Sequence, residues 1–140
     1  MTELSELYND LEKHSIRLFT KDIGFVDAAT IEIDGEYGIF LDLSCFSTIK
    51  NYKECLAHEI GHCATGCTYK VSSSLDLMIK HEYKANRWAF ERYLTFDALN
   101  AAIIDGYGEL WQLSEYFDFP EDFINKAVAY YEISRERKFG

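Results

Sequence analysis

The chain has 140 residues, of which 48% are hydrophobic and 16% aromatic, with one Pro and eight Gly. That excludes a disordered, collagen-like or linker-dominated protein and predicts one packed domain over 1–140. Twenty-four acidic against fourteen basic side chains leave a formal charge of -10, which argues against direct binding of nucleic acid or of an anionic membrane.

No apolar run approaches the roughly 18 residues that span a bilayer. The first residues, Met1-Thr2-Glu3-Leu4-Ser5-Glu6, lack the basic-then-apolar pattern of a secretory signal. The expected compartment is therefore the cytoplasm. There Cys45, Cys55, Cys63 and Cys67 stay reduced and read as small buried thiols.

Thr2 can cap a first helix running to about His14, with Leu4, Leu7, Tyr8 and Leu11 at helical spacing. Ala29 to Ile33 and Tyr37 to Leu41 are short β-rich runs around Asp34-Gly35, a pair suited to a tight hairpin turn. The second run, Tyr37 to Leu41, is the candidate edge of the sheet, with Ile39 and Leu41 on one side and Phe40 on the other. From Ser47 to about Thr65 the pattern is helical, with Tyr52, Leu56, Ile60 and Ala64 in one row and Gly66 as a stop. Ser73 with Asp76 resembles a capping box for a helix from about Ser74 to Leu94. Thr95 can cap a short helix ending at Gly106-Tyr107-Gly108, and another covers roughly Glu109 to Phe117. Asp118 and Pro120 suit the cap and first turn of a last helix ending near Arg135. The expected fold is α+β: mostly helical, with a small antiparallel sheet.

The chemistry concentrates in His58-Glu59-Ile60-Gly61-His62, an HExxH pentapeptide inside a predicted helix. Residues four apart share one helical face, so both imidazoles can reach one zinc ion. Glu59 is rotated about 100° from His58, so it sits beside the metal as a general base rather than as a ligand. A catalytic zinc needs a third protein ligand. The metzincin extension would require Gly at 65 and His at 68, and this chain has Thr65 and Thr68. The other common solution is a Glu from a following helix. On a wheel of the Ser74 to Leu94 helix, Glu82 falls in the middle of an apolar stripe made by Leu75, Met78, Ala85, Ala89 and Tyr93. A lone carboxylate is costly to bury there, and a metal beneath it removes the difficulty. Asn86, one turn on, can orient a zinc-binding imidazole. The expected site is thus a Zn2+ ion on His58, His62 and Glu82, with Glu59 as catalytic base and Asn86 behind a ligand.

Other residues are weaker candidates. His81 reads as solvent-facing, with a transition-state donor as the other reading. His14 ends the first helix, where a cation suits the dipole. Cys55 and Cys63 flank the ligand face and leave a Cys/His structural zinc site open, although that would leave Glu59 and Glu82 unexplained. Within a C-terminal helical region, 96–134, that could dock a substrate, Glu109 to Phe117, the turn Asp118-Phe119-Pro120 and the helix after it have the outline of a helix-turn-helix. Its second helix carries only Asn125 and Lys126 beside Glu121 and Asp122, so protein docking suits it better than DNA.

The pentapeptide, followed by Glu82-Tyr83-Lys84-Ala85-Asn86-Arg87-Trp88-Ala89, resembles the ImmA/IrrE family of small zinc metallopeptidases. The second segment fits that family's Glu-x-x-Ala-Asn/Asp-x-Phe-Ala pattern, with Trp88 where Phe is usual. The resemblance runs from Ile31 to about Tyr131. It departs at Phe90 to Phe96, where the family often has a Leu-Leu-Met-Pro-like stretch. The resemblance implies a zincin-like pair of active-site helices and a peptidase that cleaves a DNA-binding helix-turn-helix repressor of a phage or mobile element. The alternative function is a zinc-containing regulator that binds such a partner without cutting it.

Overall fold

The structure, a computed structural model, describes residues 3–20, 28–66 and 75–140. These fall into two compact units, Glu3–Ala89 and Phe90–Gly140. The expected caps at Thr2 and Ser73 lie outside the described residues. The chain is mostly helical with one small sheet, an α+β arrangement.

In the first unit, helix α1 (Leu4–Lys13) buries Leu7 and Leu11 one turn apart, worth about 1.5–3 kcal/mol each. It begins after Glu3 and ends at His14, and Ser15 then takes a left-handed conformation with φ 56°. That turn sends the chain into strand β1 (Ile16–Phe19). Strands β2 (Ala28–Ile33) and β3 (Glu36–Leu41) form the predicted hairpin. Asp34 and Gly35 have φ 53° and 81°, both positive as a two-residue hairpin turn with right-handed strand twist requires.

The sheet differs from expectation in two respects. Its order is β1-β3-β2, with β2 antiparallel and β1 parallel to β3, so it is mixed rather than antiparallel. The β1 signal is only four residues long, and its partner Tyr37 lies 21 residues from Ile16, so no turn marks the pairing in the sequence. As a consequence Tyr37 to Leu41, expected at an edge, is the central strand. Among the described residues the edges are β1 and β2.

The inner face carries Ile16, Ile39 and Leu41, all buried. On the outer face Phe19 stacks on Phe40 at 4.8 Å. Helix α2 (Ile49–Thr65) packs on the inner face through Leu56 and Ile60, both fully buried. Helix α3 (Leu75–Tyr93) follows, and its last four residues belong to the second unit.

The second unit continues with α4 (Phe96–Ile104), capped by the Thr95 side chain on the Ala98 N–H. Next is α5 (Leu110–Phe117), with Glu109 and Gln112 as a capping box. Asp118 does not cap the last helix: it closes α5 in a left-handed conformation, φ 59°. Pro120 takes the N-cap position of α6 (Glu121–Ala129), which runs into a π-helical turn, Tyr130–Ser134. Asp tolerates the left-handed region better than most residues, whereas the ring of Pro120 fixes the φ of -60° found at the cap. Leu99, Leu113, Phe117, Phe119, Phe123 and Ile124 are buried in this unit. Among the described residues no helix is long and apolar enough to cross a membrane.

Candidate metal centre

Helix α2 is fixed at both ends. The Thr48 hydroxyl accepts the Asn51 N–H at 3.1 Å, and Gly66, φ 67°, closes the last turn in the left-handed region. Between these caps His58 and His62 lie one turn apart on one face. Their rings meet edge to face, centroids 4.7 Å apart. Helix α3 brings Glu82 and Asn86, also one turn apart, against that face. The crossing is close because Gly61 has no side chain: a Cβ there would sit 2.4 Å from the carbonyl oxygen of Ala85.

The two helices thereby bring three donor groups together. His58 Nε2 lies 2.6 Å from Glu82 Oε2, and His62 Nε2 lies 3.1 Å from Glu82 Oε1 and from His58 Nε2. One ligand atom from each of these residues falls within 4.8 Å of the others, and the group can hold a metal ion. Two imidazole nitrogens and a carboxylate suit a borderline-soft divalent cation. Metal–ligand bonds of about 2.0–2.1 Å in a tetrahedron separate ligand atoms by roughly 3.3 Å. The two 3.1 Å separations are close to this and the 2.6 Å one is shorter, so side-chain movements of less than about 1 Å admit an ion.

Asn86 lies behind the His58 ring. Its Oδ1 lies 2.7 Å from His58 Nδ1. With the proton on Nδ1 donated to that oxygen, Nε2 is the nitrogen that faces Glu82, a donor to its carboxylate when protonated and a metal ligand when not. Burial opposes the charged form of His58. The hydrogen bond and charge of Glu82, with Glu59 and Asn86 adding, outweigh burial and raise the pKa above its ordinary value. Reciprocally, hydrogen bonds from His58 and His62 hold the Glu82 carboxyl well below the usual range.

Glu82 is less buried than its place on the helical wheel predicts. Ala85, Ala89 and Tyr93 of the stripe are buried, but the Glu82 side chain is 40% exposed. Its carboxylate oxygens lie within hydrogen-bond distance of His58 Nε2 and His62 Nε2, so it has polar partners without a metal. The side chain of Leu75 lies outside those described. His81 is half-buried, with its Nδ1 buried, rather than solvent-facing. The His14 ring packs edge-on against Trp88 at 6.0 Å.

Glu59 accepts a hydrogen bond from the Thr30 hydroxyl of β2. No motif in the sequence marks Thr30; only the register that points it at α2 does. Cys63, one turn beyond Glu59, is buried. Burial, with the negative charges of Glu59 and Glu32, pushes its thiol up to about 12. Cys55 is half-buried, and Cys45 is exposed with its thiol on Asp42 Oδ2 at 3.4 Å. Cys67 lies outside the described residues. Among the described residues no cysteine joins a metal-ligand group. An apolar cleft of about 540 Å³ opens at the N-terminal end of α2, lined by Leu4, Tyr8, Leu18, Phe46, Ile49 and Tyr52 among others, and none of its lining residues is a ligand.

Comparison of the chain with protein-family models, with curated proteins and with solved structures gives no match. Fold and site together define an α+β protein with a two-histidine, one-carboxylate group that can hold a metal ion.

Proposed function

We propose that the protein is a zinc-dependent endopeptidase with a zincin-like pair of active-site helices. The observation that carries this reading is the convergence of His58, His62 and Glu82 beside Glu59. His58, His62 and Glu82 would hold the zinc. When bound, the ion supplies a Lewis acid that acidifies water and polarises a scissile carbonyl. Glu59 accepts the proton of the attacking water on a carboxylate oxygen and returns it to the leaving amine. Asn86 keeps the His58 ring in the tautomer that offers Nε2. The substrate backbone would add as a strand to the β2 edge, which carries Thr30 against Glu59. The central strand β3, paired on both sides, has no free edge for it.

The resemblance of His58–His62 and Glu82–Ala89 to the ImmA/IrrE pattern suggests a protein substrate: a DNA-binding repressor of a phage or mobile element, cut in the cytoplasm. A chain of charge -10 would attract such a basic partner and would not bind the nucleic acid itself. A regulator that holds the metal and the partner without cutting is the second reading, because it needs the same ligands.

The test is metal content per chain after zinc loading and desalting, with Glu82→Ala alongside, followed by Glu59→Gln. About one zinc per chain, lost in Glu82→Ala and kept in Glu59→Gln, is expected. Cleavage of a co-expressed repressor should then vanish in Glu59→Gln. Full cleavage by that variant would sink the assignment of the base. Zinc retained with no cleavage product from the wild type would favour the non-cutting regulator.

A further inference from the structure

We propose that Thr30 is a positioning residue for Glu59, committing Oε2 of its carboxylate to strand β2 and leaving Oε1 as the oxygen that takes the proton. This deepens the peptidase reading and rests on it.

A glutamate on a helix surface has three rotatable torsions, and a general base is effective only in the geometry that meets its proton. HExxH spacing sets the direction in which Glu59 leaves α2; it does not set the carboxylate. That group needs a donor from outside the helix, and the Thr30 hydroxyl donates to Glu59 Oε2. Thr30 is well suited to hold it. Its backbone is paired with Ile39 in the antiparallel ladder, and a β-branched side chain is stiff at χ1. A hydroxyl-to-carboxylate bond is of the stronger, charge-assisted kind. The strand pleat turns Thr30 toward α2, while its neighbours Ala29 and Ile31 turn to the other face, where Ile31 is 43% exposed. A shift of one residue in the β2 register would replace the hydroxyl with a hydrocarbon. The donor also sits on the strand whose edge a substrate backbone would pair with. The base and the peptide it serves would therefore share one rigid reference.

The test uses the zinc-loaded full chain and acetohydroxamate, a metal-binding probe whose affinity depends on a carboxylate beside the ion. Zinc content and calorimetric affinity are measured for Thr30→Val, Thr30→Ala, Thr30→Ser and Glu59→Gln. Zinc content should stay unchanged in all four. Glu59→Gln should weaken acetohydroxamate by about tenfold or more, and Thr30→Val by on the order of fivefold, the share of one hydrogen bond. Thr30→Ala, which removes the hydroxyl without adding a methyl, should match Thr30→Val, and Thr30→Ser should restore the affinity to within about twofold. Wild-type affinity in Thr30→Val, with Glu59→Gln weakened, would overturn the positioning role and leave the base intact. Wild-type affinity in Glu59→Gln would overturn both. Zinc loss or unfolding shared by Thr30→Val and Thr30→Ser would assign Thr30 to the packing of α2 on the sheet instead.

Discussion

Gly61 lies against the backbone of Ala85: a Cβ at Gly61 would stand 2.4 Å from the Ala85 carbonyl oxygen and 3.1 Å from its Cα. Because His62 is next to Gly61, and Glu82 and Asn86 lie on the Ala85 turn, this contact sets how near the ligands come. In a free helix interior Gly→Ala would stabilise by roughly 0.5–1 kcal/mol. At Gly61 the sign reverses. The obstacle is backbone, which cannot swing aside, and overpacking of this kind costs about 1–3 kcal/mol. Gly61→Ala should therefore lower the urea midpoint and retain less zinc than the wild type after desalting. An unchanged midpoint with full zinc would refute this account of the helix crossing.

Asn86 touches the proposed metal only through His58, at 2.7 Å between Oδ1 and Nδ1. Removing such an orienting partner typically costs 10–100-fold in metal affinity, an order-of-magnitude range. Asn86→Ala should show about that loss in competition with a chromophoric chelator. Asn86→Asp keeps an acceptor for the same N–H and should bind within a few-fold of the wild type. Equal weakening in both variants would mean that the carboxamide serves the packing of α3 and not the ring.

What the sequence made legible is what depends on local spacing. The Asp34-Gly35 turn, the Gly66 end of α2, and the i, i+4 pair His58 and His62 are all short-range patterns. Glu82 was legible because it falls among Ala85, Ala89 and Tyr93 on the helical wheel, all three of them buried. Its 40% exposure was not legible, because a wheel gives direction and not depth. Contacts between distant segments were hidden: Ile16 beside Tyr37 in a parallel ladder, Thr30 on Glu59, and Gly61 on Ala85. Asp118 is ambiguous in the sequence because Asp serves both as an N-cap and as a left-handed stop, and only the backbone angle separates the two.

The cysteines should differ sharply in reactivity, since the thiolate is the reactive form and must also be reached. Cys63 is buried, with its thiol pushed up to about 12 by burial and by Glu59 and Glu32. Cys45 is exposed. Brief iodoacetamide treatment of the native protein at neutral pH should label Cys45 and spare Cys63, read by peptide mass spectrometry. Both should label after unfolding in urea. Native labelling of Cys63 at the rate of Cys45 would contradict the burial that surrounds the thiol.

Tyr131 ties the start of the second unit to its end. Its buried hydroxyl donates to the carbonyls of Phe90 and Leu94, at 3.1 and 2.8 Å. Leu94 lies just beyond the end of α3, where carbonyls lack helical donors. Tyr131→Phe leaves that oxygen short of a donor and should cost about 1–3 kcal/mol in urea unfolding at neutral pH. The pH dependence has a definite sign. Burial, and then the charge of Glu91, raise the Tyr131 pKa above the ordinary 10.0. As pH climbs through 10.0, the unfolded chain gives up this proton while the folded chain keeps it, so stability falls with rising pH. The wild type should lose stability above that pH, and Tyr131→Phe should lose less, so the gap between them narrows. A constant gap across the alkaline range would show that the Tyr131 proton is held no more tightly in the fold than in the unfolded chain.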